Sequence, residues 1–244
     1  MRSHIKKILL IQKKNITLAK FSNMQNHYVQ IGRTARYFTH GGARASTQEV
    51  WLLAHGYGQL ADNFLKKFSF LSPEKYWLIA PEALSRFYID GLGMENPRVG
   101  ASWMTKESRE TEIEDYIQYW KTVYAQTVEK VLEQSQRPYT RILGFSQGCS
   151  AVCRWILDAQ PIFDELVLWA GEIPKDCPLD DFAKILKGKK LYYVYGENDE
   201  LIPRHLVDTQ LALFKKHNID FDLITFEGKH EVTEAMITEL ILRD

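Results

Sequence analysis

Short, unbroken apolar runs alternate with segments of helical periodicity along most of this chain. The runs are EVWLLAHG (49–56), KYWLIAPEA (75–83), RILGF (141–145), ELVLWAG (165–171), KLYYVYG (190–196) and DFDLITFEG (220–228). A strand with one wet face alternates apolar and polar residues, and these do not. They read as strands buried on both faces, which belong to a mostly parallel sheet covered by helices on each side. The helical pattern is clearest at Ile113, Tyr116, Ile117, Trp120, Val123, Tyr124, Thr127 and Val131, and Pro138 bounds it. Further helices are predicted over 61–71, 147–158, 180–188, 203–218 and 231–242. The fold class is therefore α/β.

With 244 residues and 45% hydrophobic content the chain can bury one large core. No linker, repeat or low-complexity segment divides it, so the reading is a short N-terminal extension over 1–27 and a single domain over 28–244. YVQIGRTARYFTHG (28–41) is predicted to be two strands joined at Gly32. Residues 84–111, with Gly91, Gly93, Pro97 and Gly100, are predicted to be a long irregular loop near the site.

Lys+Arg and Asp+Glu both number 31, so no global field draws the protein to nucleic acid. No stretch approaches the ~20 apolar residues of a membrane-spanning helix, and the N-terminal apolar run 8–11 is too short for a signal core. No stable membrane insertion is expected. Cys149, Cys153 and Cys177 are an odd set without zinc-site spacing; they read as reduced thiols, in keeping with a cytoplasmic setting. Neither a metal nor a cofactor is called for.

At one strand end the sequence runs Gly144-Phe145-Ser146-Gln147-Gly148 and then becomes helical. A sharp strand-to-helix turn needs small neighbours, lifts the serine hydroxyl above the sheet, and aims the Gln147 N–H outward from a helix N-terminus. The alternative role for Ser146 is a helix N-cap. Two later strand ends carry Asp199, in GxxDxxIP (196–203), and His230, in GKH (228–230). Serine, acid, histidine is the order such an elbow requires. Glu197 and Glu200 are rival acids; His205 and His217 fall inside a helical pattern. His55-Gly56-Tyr57-Gly58 follows the first long parallel strand, with Tyr57 N–H as a second oxyanion donor beside Gln147 and His55 as a structural residue. Phe87, Tyr88, Trp103 and Met104 are candidate substrate-pocket residues. Cys149 and Cys153 read as small core residues.

These motifs, with APE (80–82) and SW (102–103), resemble the α/β-hydrolase fold and, within it, the carboxylesterase/phospholipase family that includes acyl-protein thioesterases. The resemblance runs from about residue 50 onward. It implies a serine hydrolase without a large cap or cofactor, acting on esters or thioesters of small molecules. The chain departs from many thioesterases at Tyr57-Gly58-Gln59, where they read Leu-Gly-Asp, and in its longer 84–111 segment. The other readings are a non-catalytic ligand-binding protein on the same fold, or a peptidase or acyltransferase using the same residues. The spacing between strands leaves no room for an inserted cap. The expected substrates are therefore dispersed short- and medium-chain esters, hydrolysed without interfacial activation.

Overall fold

The computed structural model describes residues 25–91, 93, 95–133 and 136–243. All but the last three residues of the expected 1–27 extension lie outside these. Residues 25–34 contain no helix or strand, and a compact unit spans Ala35–Asp244. Only one strand forms in the 28–41 segment, β1 (Tyr37–His40), and Gly32 makes no turn. The cause is simple: Tyr28, Val29 and Ile31 are 63%, 84% and 80% exposed, so a strand there would bury little.

From β1 the chain enters β2 (Glu49–Ala54), a short helix α1 (Ala61–Leu65) continued by a 3-10 turn, and β3 (Tyr76–Pro81). After a hairpin, β4 (Ser85–Tyr88) and β5 (Val99–Ser102), come helices α2 (Arg109–Thr127) and α3 (Glu129–Leu132), then β6 (Tyr139–Phe145). The remainder alternates: α4 (Gln147–Ala159), β7 (Glu165–Trp169), α5 (Leu179–Leu186), β8 (Lys190–Gly196), α6 (Arg204–Lys216), β9 (Asp222–Phe226) and α7 (Glu234–Leu242). The main sheet has the order β1-β3-β2-β6-β7-β8-β9, parallel throughout except for β1. Pro81 is tolerated because the β3 register with β2 stops at Ile79.

Side chains alternate across the sheet, as the pleat requires. Val50, Leu52 and Ala54 join one core with α2, α4, α5 and α6; Trp51 and Leu53 join the other with α1 and α7. Helices therefore cover both faces. The connections β6–β7 and β7–β8 hold only α4 and α5, so no cap domain is inserted there. At the N-terminal ends of the strands, Arg141 is fully buried against Glu165, reaches Glu49 at 3.2 Å and lies 4.4 Å over the Trp51 ring. This pins three strands together at the end away from the elbow.

Residues 84–111 are not irregular throughout. Ser85 pairs with Ser102 and Tyr88 with Val99 in an antiparallel hairpin, and α2 has begun by Arg109. The hairpin is stitched to the loop after β2 by Gly58 N–H to Ala101 O (2.9 Å) and Ala101 N–H to Gln59 O (3.1 Å). Gly100 permits this approach: a Cβ there would lie 2.3 Å from Gly58 O.

Candidate active site

Ser146 joins β6 to α4 at φ 54°, ψ −121°, a conformation that costs a non-glycine residue about 1–3 kcal/mol. The surrounding packing holds it there. A Cβ on Gly148 would sit 2.2 Å from Ala54 O, one on Gly144 2.6 Å from Cys149 Cα, and one on Gly171 2.5 Å from Ser146 O. The Ser146 N–H donates to Trp169 O at 2.8 Å, fixing the turn to β7. The Ser146 side chain caps nothing in α4, and among the described residues its hydroxyl has no hydrogen-bond partner. The N-cap reading of this serine is thereby excluded.

Gly196 ends β8 where a Cβ would meet Gly228 O at 2.4 Å and Lys229 O at 2.5 Å. Asn198 N–H donates to Gly228 O at 2.9 Å. These close contacts draw the two loops together, and His230 Nδ1 meets Asp199 Oδ2 at 2.7 Å. The Asp199 carboxylate is fully buried; its Oδ1 accepts the N–H groups of Leu201 (2.8 Å) and Ile202 (3.0 Å). With three donors its negative charge is compensated in place. The imidazole is 15% exposed and packs on the Phe145 ring, centroids 4.9 Å apart, so it sits against the residue preceding Ser146. The rivals are elsewhere. Glu197 is exposed and accepts from Thr225 Oγ1, Glu200 and His205 are exposed, and His217 pairs with Asp180 at 2.6 Å.

The His55–Gln59 loop closes the third side. A Cβ on Gly56 would meet Ser146 Cβ at 3.2 Å, so the loop runs directly beside the serine. Gly58 has φ +74°, and the Gln59 side chain accepts Gly56 N–H at 2.9 Å. Neither Tyr57 N–H nor Gln147 N–H finds an acceptor among the described residues. His55 is fully buried with both ring nitrogens engaged, Nδ1 with Gly56 O at 2.8 Å and Nε2 accepting Ala83 N–H at 3.0 Å. Those partners define a neutral imidazole protonated at Nδ1, which locks the loop to the segment after β3.

Burial pushes the His55 pKa down from 6.5, outweighing the Gly56 carbonyl and the Glu82 charge, which act in the opposite sense. The folded chain therefore binds fewer protons here than the unfolded chain does below about pH 6.5, and stability falls as pH drops through that window. His55→Gln keeps a donor and an acceptor but cannot titrate. Thermal melts from pH 7 to 5 should show a shallower acid-side loss for His55→Gln than for the wild type. Equal slopes would show that His55 does not sense pH.

Trp103 departs from the pocket expectation. Its side chain is 2% exposed, and its ring packs with His55, Tyr116 and Trp120. Its indole N–H donates to His55 O at 2.8 Å, and its backbone N–H donates to Gln147 Oε1 at 3.0 Å. Gln147 Nε2 in turn donates to Met104 O at 2.8 Å. Trp103 thus ties the Tyr57 loop to the first residue of α4. Met104 is half-buried, its sulfur 3.6 Å from the Arg154 guanidinium. Phe87 is half-buried and packs on Tyr57, centroids 5.2 Å apart; Tyr88 is 52% exposed on the same hairpin. The sequence motif points only to the Gln147 backbone N–H; its side-chain clamp arises because β5 delivers Trp103 and Met104 to it.

Cys149, Cys153 and Cys177 are buried free thiols, their pKa values raised by burial, that of Cys177 to about 12. Among the described residues no acidic, histidine and cysteine cluster has the makings of a metal site, and no helix is long and apolar enough to cross a membrane.

The sequence profile of the phospholipase/carboxylesterase family matches residues 40–241. No curated protein matches significantly. Solved structures similar to this chain include Zea mays acyl-protein thioesterase 2, with TM-score 0.62 and 12% identity over 86% of this chain and 97% of that one. A carboxylesterase from Mesorhizobium loti gives TM-score 0.60 and 16% identity over 81% and 90%. The Bacillus cereus carboxylesterase gives 0.59 and 14% over 91% and 95%. At these identities the likeness is one of fold.

Proposed function

Because the chain belongs to the phospholipase/carboxylesterase family, with an α/β-hydrolase fold, we propose that it is a serine hydrolase of carboxylic esters or thioesters with Ser146 as nucleophile. What supports this reading is the strained, uncapped Ser146, the Asp199–His230 hydrogen bond whose imidazole packs on Phe145, and two N–H groups without acceptors among the described residues. His230 takes the hydroxyl proton as Ser146 Oγ attacks the acyl carbon. Asp199 holds the imidazole with its proton on Nδ1 and stabilises the imidazolium. Tyr57 and Gln147 N–H groups hold the oxyanion. His230 then protonates the departing alcohol or thiol, and water repeats the sequence on the acyl-enzyme. The reaction balances with water alone.

The absence of an inserted cap supports an open site that takes dispersed short- and medium-chain substrates without interfacial activation, with Phe87, Tyr88 and Met104 beside it. Three buried thiols support a reducing, cytoplasmic setting.

The test joins a fluorophosphonate label, with mass spectrometry of the Ser146 peptide, to turnover of p-nitrophenyl esters and acyl thioesters of increasing chain length. Stoichiometric adduct on Ser146 with turnover of monomeric substrates is expected. No adduct at any serine and no turnover would favour the non-catalytic ligand binder. A rate that rises only once substrate aggregates would overturn the open-site reading.

Trp103 enters this scheme as a positioning residue. Trp103→Phe removes the indole donor to His55 O and frees one oxyanion donor relative to the other. The expected result is a fall in kcat of about tenfold, below the 10²–10³ for outright loss of a donor, with KM little changed. A change in chain-length preference at constant kcat would instead return Trp103 to the acyl groove.

A further inference from the structure

A cavity of about 350 Å³ opens beside the Tyr57 loop, at the small end of the range for small-molecule sites. Gly58, Phe64 and Ile89 line it together with Asn63, Lys67 and Arg98. Among the described residues no carboxylate lines it. Arg98 is held by both oxygens of Asp90, at 2.6 to 3.1 Å, so its charge is already matched. Lys67 makes no ion pair among the described residues; its ammonium meets only the Val232 carbonyl, at 3.4 Å. Asn63 Oδ1 accepts from Lys66 at 3.0 Å, which leaves the Asn63 amide N–H groups as donors. The cavity thus offers apolar lining and one positive charge without an ion-pair partner among the described residues.

Its position relative to His230 decides what enters it. Phe64 stacks on Phe145, centroids 5.9 Å apart, and the Phe145 ring in turn packs on the His230 imidazole, at 4.9 Å, and against Gly56. The Lys67 contact with Val232 falls two residues beyond His230 on the same loop. Through Phe64 and Lys67 the cavity adjoins the loop on the imidazole's side of the site, and through Gly58 it adjoins the Tyr57 loop. In acyl transfer the base that took the serine proton returns it to the departing oxygen or sulfur, so the leaving group occupies that side.

Building on the serine-hydrolase reading, we propose that this cavity receives the leaving group and that Lys67 selects an alcohol or thiol carrying one negative charge. An apolar leaving group of about one ring fills the cavity against Phe64 and Ile89. A carboxylate or phosphodiester at its far end meets the ammonium and the Asn63 amide. A phosphate dianion is matched less well, because Arg98 is committed to Asp90.

The test compares 4-carboxyphenyl butyrate with its neutral counterpart, 4-(methoxycarbonyl)phenyl butyrate, in the full chain. The anionic-to-neutral ratio of kcat/KM should fall about fivefold in Lys67→Ala, the upper range for a solvent-accessible charge pair. It should fall further in Lys67→Glu and be largely kept in Lys67→Arg. In the wild type the ratio should decline as salt is raised. The p-nitrophenyl hemisuccinate-to-butyrate ratio, which places the charge on the acyl side, should not respond to Lys67; a response there alone overturns the leaving-group assignment. Calorimetric titration with 4-hydroxybenzoate and its methyl ester reads the subsite without turnover. Lys67-dependent preference for the anion in a chain that hydrolyses no ester would sink the hydrolase reading and leave the subsite standing. Turnover with ratios and binding indifferent to Lys67 overturns the subsite and leaves the hydrolase reading intact.

Discussion

Ser146→Ala is expected to lower ester turnover by about 10⁴-fold or more, since the groups of such a site act as a unit and the loss of the nucleophile forfeits the whole covalent route. The fold should survive. The hydroxyl makes no hydrogen bond among the described residues, so its removal leaves no buried donor or acceptor behind. The alanine Cβ replaces a serine Cβ already accommodated beside Gly56. Alanine keeps the strain of φ 54°, whereas glycine relieves it. Ser146→Gly should therefore be equally inactive yet about 1 kcal/mol more stable than Ser146→Ala, the strain relieved less the added unfolded-state entropy. Chemical denaturation of the two variants measures that difference. Near-wild-type turnover by folded Ser146→Ala would falsify the assignment of the nucleophile. Equal stability of the two variants would mean that the backbone at 146 relaxes without cost.

The elements legible in the sequence are those whose cause is local. Unbroken apolar runs mark strands buried on both faces, and the glycines around Ser146 mark backbone crowding that the fold contains: Gly148 against Ala54 O, Gly144 against Cys149. The approach of Asp199 to His230 is also foreshadowed, because Gly196 and Gly228 sit where two strand ends must come within contact distance. What escaped the sequence depends on partners far along the chain. The 85–102 hairpin was hidden because its glycines and proline resemble a loop; one of them, Gly100, is small because Gly58 passes over it. Trp103 reads as a groove aromatic until its indole is seen to need the His55 carbonyl. Arg141 reads as the polar start of a strand, and only the register Arg141 with Glu165 places it in a buried ionic cluster. Such a pair adds little net stability but is costly to break on one side.

Asp199→Asn should reduce kcat by about 10⁴-fold with little change in thermal stability, and the geometry gives the reason. Oδ1 of Asp199 accepts two backbone N–H groups, from Leu201 and Ile202, and Oδ2 faces His230 Nδ1. An asparagine must keep its carbonyl oxygen toward the two N–H groups, because turning its amide there would oppose donors to donors. Its NH2 then points at His230 Nδ1 and requires an unprotonated nitrogen. The imidazole responds by carrying its proton on Nε2, the atom that has to receive the proton of Ser146. The residue is folded, hydrogen-bonded and in place, and it presents a donor where the reaction needs an acceptor. Asp199→Ala separates this from simple loss of the acid: it strips the half-buried Leu201 and Ile202 N–H groups of their acceptor and should destabilise the fold by about 1 kcal/mol, while leaving the imidazole free to adopt either tautomer. The order expected is thus opposite in the two measurements, with Asp199→Asn the more stable protein and the less active enzyme. Nitrogen-15 shifts of the His230 ring in Asp199→Asn would report the Nε2–H form directly. A silent Asp199→Asn beside a severe Glu197→Gln would move the acid to the exposed carboxylate at the end of β8 and undo the tautomer argument.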